Sequence, residues 1–206
     1  MTFSLLSDGT PTGMRLKIGV MGSASGELLD HHLKNAYLLG KAIADNGCIC
    51  VTGACPGLPY ETAKGVKENG GLVVGISPGL SLDEHLYKYH SPIDYCDVLI
   101  FTGSGLMGRE ISNIRSCDIV IIIGGRSGTL GEFSIAYDEG KLIGVLTKTG
   151  GIADFITEIE KVIRKNTGSK IVYHHDPIKL IENLLKTYQD RSDQKHSTSH
   201  KNCQGG

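Results

Sequence analysis

Residues 118–133 (DIVIIIGGRSGTLGEF) constrain the fold more than any other stretch of this chain. The stretch begins with five consecutive β-branched residues, Ile119 to Ile123, with no polar alternation. Such a run is typical of a central strand in a parallel sheet that is covered on both faces. Gly124, Gly125 and Gly128 follow, and glycine allows tight backbone turns and the close approach of a ligand. The stretch therefore predicts a buried strand, a glycine-rich turn and the start of a helix.

The predicted turn is a candidate anion site. Ser127 and Thr129 offer hydroxyl groups, and the following helix directs its free N–H groups and positive dipole end at the turn. Phosphate is the usual occupant of such a site. Glu132 lies about one turn into the helix, and a carboxylate beside a phosphate indicates chemistry on a nucleotide. The same residues also fit a capping box, with Thr129 as the N-cap and Glu132 reaching back to it, which would need no ligand.

Strands and helices alternate along the rest of the sequence. Strands are predicted at residues 16–22, 48–53, 72–77, 97–102, 119–123, 142–146 and 171–174, and helices at 30–46, 59–69, 106–116, 129–139, 152–165 and 177–188. This alternation predicts an α/β fold, a single doubly wound Rossmann-like domain with a mainly parallel sheet. Right-handed crossovers place the loops after the strands along one edge, where such folds bind ligands.

The length of 206 residues suits one well-cored domain. We assign residues 1–14 to an N-terminal extension and 15–190 to the Rossmann-like domain. Residues 191–206 are polar and poor in apolar side chains, which predicts a disordered tail, with the histidines there solvated.

Charge and composition exclude several classes of protein. The net charge of −1 creates no field that would attract nucleic acid or an acidic membrane. No apolar stretch approaches the roughly 18 residues of a membrane span, and the N-terminus lacks the features of a signal peptide. The six cysteines form no CxxC pair and have no histidine spacing for zinc. We expect a cytoplasmic protein with reduced cysteines, no metal and no resident cofactor.

Other glycine-bearing segments fall on the same predicted edge. Gly22 and Ser23 follow the first strand and could hold a phosphate or a ribose, although their surroundings lack the GxGxxG spacing of dinucleotide sites. Gly53 and Gly57 follow the second strand, where they would let the backbone pass close to a ligand. A plain small-residue turn remains the alternative at the first of these segments.

Arg109 lies near the start of the helix that precedes the central strand. A cation gains nothing from the dipole at a helix N-terminus, so a nearby anion would explain its position, and an exposed surface arginine is the alternative. Arg109 and Glu132 flank the same strand and could face one pocket. The arginine can hold a phosphate, and the carboxylate can stabilise the oxocarbenium-like state of N-glycosidic cleavage.

At these residues the chain resembles the LOG-type Rossmann proteins, long labelled "possible lysine decarboxylase". Their signature is an arginine-bearing helix, a strand that begins with Asp, and the motif PGGxGTxxE. The spacings from Arg109 to Asp118 and from Asp118 to Glu132 match this pattern, and the segments IGVMGSASG and VTGACPGLPYETAKGVKENGGLVVGISPG also resemble the family. The likeness covers most of residues 16–146.

The resemblance implies a homodimeric phosphoribohydrolase that splits a nucleoside 5′-monophosphate into free base and ribose 5-phosphate. By position, Arg109 and Glu132 would be the catalytic pair. Gly125, Ser127, Gly128 and Thr129 would cradle the phosphate. Together with the loops considered above, the predicted ligand-binding residues are Gly22, Ser23, Gly53, Gly57, Gly124, Gly125, Arg126, Ser127, Gly128 and Thr129.

The chain departs from the family pattern at two places. Gly124, Gly125 and Arg126 stand where the family has PGG, and Ser112 stands where the enzymes usually have a second glutamate near the arginine. Arg126 could add a phosphate contact or block the usual substrate. The segment TGACPGLPYETA resembles a branch that includes molybdenum-cofactor carrier proteins. A non-catalytic carrier or sensor for a phosphorylated ligand, such as molybdenum cofactor or a nucleotide, is therefore the alternative function.

Overall fold

The computed structural model describes residues 14–202, with side chains described as far as residue 194. Within this part of the chain, seven parallel strands form one sheet in the order β4-β3-β2-β1-β5-β6-β7. The strands are β1 Lys17–Gly22, β2 Ile49–Thr52, β3 Leu72–Ser77, β4 Val98–Phe101, β5 Ile119–Ile123, β6 Leu142–Leu146 and β7 Lys170–His174. The prediction of a doubly wound Rossmann-like domain is confirmed, and every pairing in the described sheet is parallel.

Helices follow most of the strands. They are α1 Asp30–Asp45, α2 Leu58–Glu68, α3 Gly105–Arg115, α4 Ser127–Asp138, α5 Ile156–Ile163 and α6 Pro177–Asn202, with a short π-helical turn at Glu84–Lys88 and a 3-10 turn at Gly151–Phe155.

The central strand β5 shows why the sheet is covered on both faces. Ile119, Ile121 and Ile123 pack into one core with the buried sides of α1, α2 and α6. Val120 and Ile122 point the other way, into a second core with residues of α3, α4 and α5. All five side chains of β5 are fully buried because helices lie on both sides. An unbroken apolar run therefore occupies the middle of the sheet, as the sequence predicts.

The strand order reverses at β1, which pairs with β2 on one side and with β5 on the other. In open parallel sheets, ligands bind in the crevice outside the carboxyl ends of the strands at this switch point. Here that crevice lies beyond Gly22 and Ile123, which are register partners at the ends of their strands.

Three elements differ from the sequence expectation by more than one residue at an end. Helix α4 begins at Ser127 and not at Thr129. The predicted helix at 152–165 is divided, because Gly150 and Gly151 have positive φ and the N–H groups of Ile152 and Ala153 donate to the carbonyls of the glycine turn, which starts a 3-10 turn.

The third difference is at the C-terminal end. Helix α6 continues to Asn202, whereas the sequence predicts a helix end at residue 188 and a disordered tail from residue 191. No glycine or proline occurs between residues 189 and 202, and nothing in the sequence stops the helix there. Residues 203–206, like residues 1–13 of the predicted N-terminal extension, lie outside the described residues.

Candidate functional site

A cavity of about 560 Å³ opens at the switch-point crevice, between the first turns of α3 and α4. Its walls come from the ends of β1 and β2 and from the two helices. Nine of the twelve predicted site residues line it, namely Gly22, Ser23, Gly53, Arg109, Arg126, Ser127, Gly128, Thr129 and Glu132. The structure therefore brings most of the predicted site together in one place.

The other three predicted residues, Gly57, Gly124 and Gly125, are not among the lining residues. The N–H of Gly124 donates to Thr149 Oγ1 at 2.9 Å, and the N–H of Gly125 donates to Ser23 Oγ at 2.6 Å. Both glycines have positive φ, 59° and 98°. A Cβ atom on Gly57 would overlap the carbonyl oxygen of Ser23. These three glycines shape the loops around the cavity. The N–H groups of Gly124 and Gly125 already donate within the protein, so they are not free to bind a ligand.

The N-terminus of α4 faces the cavity. Arg126 is the N-cap residue, and within the described chain no side chain caps this helix. The first helical N–H to find a backbone partner is that of Leu130, which donates to Arg126 O at 2.9 Å. The N–H groups of Ser127, Gly128 and Thr129 are thus the ones that an anion at a helix N-terminus would accept from. The capping-box interpretation is wrong, because Thr129 lies inside the first turn and packs against Gly125.

Arg109 lies on the buried side of α3, with only 7% of its surface exposed. One guanidinium nitrogen, Nη1, donates to Gly53 O at 2.5 Å and lies 3.4 Å from Ile76 O. Its Nε is buried and has no hydrogen-bond partner among the described residues. The guanidinium passes so close to Gly53 that a Cβ atom there would overlap it. The alternative of an exposed surface arginine is therefore wrong.

Glu132 is also 7% exposed. Burial raises the pKa of its carboxyl to about 7; the Arg109 guanidinium opposes this shift and the Glu110 carboxylate adds to it. Among the described residues, no cation lies within ion-pair distance of Glu132. Near neutral pH this carboxyl group can therefore gain or lose a proton, a property that is common in catalytic groups.

Glu110 is a cavity residue that the sequence interpretation missed. It is 6% exposed, and burial raises the pKa of its carboxyl while Arg109 lowers it. The signal was present in the helical period of α3. Asn113 and Ile114 lie on its buried face, and Glu110, three and four residues before them, falls on the same face.

Arg126 lies at the mouth of the cavity. It is exposed, and its Nη2 donates to Ser25 Oγ at 2.5 Å, so that the side chain bridges the loop after β1 and the start of α4. The cavity thus combines a buried arginine, an exposed arginine at its edge, an uncapped helix N-terminus and two buried carboxyl groups. This arrangement can bind a small anion and expose the group attached to it to a carboxylate.

A model of the SLOG cluster4 family matches residues 15–181. The chain belongs to this family. It is 35% identical to an uncharacterized protein of Archaeoglobus fulgidus over 131 residues, which are 64% of this chain and 80% of that protein. Membership of the SLOG cluster4 family confirms the predicted LOG-type resemblance.

Two solved structures connect this family member with the predicted carrier branch. The molybdenum cofactor binding protein of Rippkaea orientalis is 29% identical, with a TM-score of 0.67 over 84% of this chain and 99% of that one. The molybdenum cofactor carrier protein of Chlamydomonas reinhardtii is 28% identical, with a TM-score of 0.66 over 84% and 98%. The fold is thus shared with proteins that are named for the molybdenum cofactor.

Two kinds of feature are absent from the described residues. No helix in residues 14–202 has the length and apolar content to cross a membrane. No group of three or more His, Cys, Asp or Glu side chains in the same part of the chain could hold a metal ion.

Proposed function

We propose that this chain hydrolyses the N-glycosidic bond of a nucleoside 5′-monophosphate in the cavity between α3 and α4. The observation that carries the proposal is Glu132, a buried carboxyl group with a pKa of about 7 that lies in the same cavity as Arg109 and the N-terminus of α4. The LOG-type resemblance supports the same activity.

Each part of the cavity has a role in this reaction. The N–H groups at the start of α4 hold the 5′-phosphate, and Arg109 adds positive charge. The ionised Glu132 lies beside the sugar and stabilises the positive charge that develops at C1′ as its bond to the base breaks. The oxygen of a water molecule then bonds to C1′, and the proton released from the water balances the negative charge on the departing base.

The buried carboxyl groups favour an enzyme over a simple phosphate-binding protein. Burying Glu110 and Glu132 raises the pKa of both, which means that burial makes their charged forms unfavourable. A phosphate-binding site gains nothing from carboxylates beside its anion, because like charges repel. A reaction through a cationic sugar does gain from them, and the cost of burial is then explained.

The second candidate function is a non-catalytic carrier of a phosphorylated pterin-type cofactor or a nucleotide. The observation that favours it is the likeness to the two molybdenum cofactor proteins. Arg126 supports it too, because its guanidinium at the cavity mouth replaces a family glycine and adds a contact for an anionic ligand.

One experiment tests the hydrolase. The purified protein is incubated with a panel of nucleoside monophosphates, and free base is measured by chromatography. We expect release of base from at least one nucleotide, and a roughly hundredfold or greater loss of turnover in Glu132→Gln, about 2.7 kcal/mol of transition-state stabilisation. Arg109→Ala should weaken binding as well as turnover. Unchanged turnover in Glu132→Gln would remove the catalytic role.

A thermal-shift measurement, combined with the base-release assay, distinguishes the carrier from the hydrolase. Ligands that bind only the native state raise its melting temperature by mass action. We expect phosphate and AMP to raise it at millimolar concentration, with adenosine as the control. Stabilisation by AMP without any release of base from the panel would favour the carrier, and no stabilisation by any phosphorylated ligand would exclude a phosphate site.

The setting and assembly of the protein complete the proposal. The described cysteines, Cys48, Cys50, Cys55, Cys96 and Cys117, are all free thiols, which suits a reducing cytoplasm. We also propose a homodimer, because α3 and the edge strand β4 expose apolar side chains.

A further inference from the structure

We infer that the Glu110 carboxylate accepts hydrogen bonds from the ribose hydroxyls of the bound ligand and so selects ribose over deoxyribose. This inference rests on the proposed phosphate site at the start of α4. It adds a specificity residue that neither the family motif nor the catalytic pair contains.

The position of Glu110 places its carboxylate between α3 and α4. Its Oε1 lies 3.5 Å from the place that a Cβ atom would take on Gly128, and its Oε2 lies 3.2 Å from the same place on Gly131. Gly128, Gly131 and Glu132 are three and four residues apart, so they share one face of α4. The two glycines leave room on that face for the Glu110 carboxylate, and a side chain at Gly131 would crowd it.

Glu110 has no partner of its own. It is 6% exposed, and within the described chain no donor or cation is hydrogen-bonded to either oxygen. Its neighbour Arg109 donates instead to backbone carbonyls and keeps a buried, unpartnered Nε. Because Glu110 lines the cavity and its oxygens have no donor in the described protein, the carboxylate is free to accept hydrogen bonds from a ligand there.

The position of the carboxylate relative to the proposed phosphate site indicates the donor. Gly128 belongs to the first turn of α4, where the phosphate binds, and Gly131 lies about 4.5 Å further along the helix axis. A carboxylate that lies beside Gly128 and Gly131 would face the group that is attached to the phosphate. In a nucleoside 5′-monophosphate that group is the ribose. Ribose hydroxyls are donors, and dinucleotide-binding folds also use an acidic residue to hold them.

The test uses sugar phosphates, so that it does not depend on the base. Ribose 5-phosphate, 2-deoxyribose 5-phosphate and inorganic phosphate are titrated into the wild type, Glu110→Gln, Glu110→Ala and the control Ser112→Ala by calorimetry. Ser112 is exposed on the same helix. We expect the wild type and the control to bind ribose 5-phosphate roughly tenfold or more tightly than the deoxy sugar, since a hydrogen bond to a charged group is lost.

Glu110→Ala should remove most of this preference, and Glu110→Gln should reduce it, while the affinity for inorganic phosphate stays the same or rises in both. Two variants are used so that one that misfolds leaves a second to measure. Equal binding of the two sugars by the wild type, or a preference that survives in both variants, would overturn the inference while leaving the phosphate site intact. No binding of inorganic phosphate or of either sugar would overturn the proposed function together with it.

Discussion

At the scale of single residues, the Glu132 charge has a cost for folding. Burial raises the pKa of this carboxyl in the folded chain from 4.5 to about 7. The unfolded chain therefore releases the proton at lower pH than the folded chain does. The free energy of unfolding is therefore highest, with respect to this group, below pH 4.5, where the carboxyl is neutral in both states. It falls as the pH rises toward 7. Over that range the loss is on the order of 3 kcal/mol.

Glu132→Gln should reverse this loss, because the amide cannot ionise. We expect the variant to be more stable than the wild type at pH 8 and nearly equal to it at pH 4.5, as measured by urea unfolding at both values. Using the difference between the two proteins cancels the other titrating groups. A difference that does not change between the two pH values would contradict the buried, titrating carboxyl.

Gly53 offers a second test at the same scale. A Cβ atom there would overlap the Arg109 guanidinium, which lies at the free end of a long side chain. Gly53→Ala should therefore displace the guanidinium and weaken phosphate binding roughly tenfold, with little change in melting temperature. Arg109→Ala is the matched comparison, and the double variant should bind no more weakly than Arg109→Ala alone, because both changes act on the same contact. Additive losses would show that Gly53 acts by another route.

The sequence identified Arg109 and Glu132 because both flank the most recognisable strand at a spacing that repeats a family motif. It did not show which N–H groups of the glycine turn bind other parts of the protein and which remain free for a ligand. Gly125 donates its N–H to Ser23, and Gly124 donates to Thr149, and both partners lie far away in sequence. Which N–H groups remain for a ligand depends on these contacts, and no local pattern records them.

At the scale of elements, strands were easier to predict than helix ends. The strands β3, β5 and β6 have their predicted bounds, because each is an apolar run between glycines or polar residues. Helix ends depend on tertiary contacts. Helix α4 begins two residues earlier than predicted. Gly125 has a positive φ and Arg126 is extended, and the helical conformation begins directly after them, at Ser127. The division before α5 depends on hydrogen bonds to the glycine turn.

The extension of α6 can be tested through Arg191. Its Nη2 donates to Gly140 O at 3.1 Å and to Gly168 O at 3.2 Å, which joins α6 to the turn after α4 and to the loop before β7. Arg191→Ala should lower the free energy of unfolding by about 1–2 kcal/mol, since hydrogen bonds from a charged group are lost. Urea unfolding measures the loss.

Lys179→Ala is a control on the same helix, because Lys179 is exposed. Phosphate binding should not change in either variant, since Arg191 lies at the opposite edge of the sheet from the cavity. Equal stability of Arg191→Ala and the control would show that the contacts of Arg191 do not stabilise the domain.

At the scale of the whole molecule, one side of the chain is unusually apolar. Leu106, Met107 and Ile111 of α3 are 56%, 72% and 42% exposed, and β4 at the edge of the sheet exposes Val98, Ile100 and Phe101. The strands of a parallel sheet are normally covered on both faces. Exposed apolar side chains in this number favour an interface, and we propose that a second copy of the chain covers those of α3 and of one face of β4.

We therefore expect light scattering to show twice the 22.1 kDa of the single chain at micromolar concentration. Ile111→Glu should convert the dimer to a monomer, because it places a charge in the interface. Val162→Glu is the control, since Val162 is 81% exposed on α5, away from this surface. A wild-type monomer, or a dimer that tolerates Ile111→Glu, would remove α3 from the interface.

The hydrogen bond from Gly125 to Ser23 joins positions 102 residues apart. Loop-closure entropy opposes such a contact until most of the intervening chain has condensed. The strands and helices of each half of the sheet can assemble from nearer neighbours, and the rate of folding falls as contacts become less local. The pairing of β1 with β5 spans nearly the same distance in sequence, so the pocket can acquire its shape only once these two central strands have met. Occupancy by a ligand then reports on completed folding and holds both halves of the chain together.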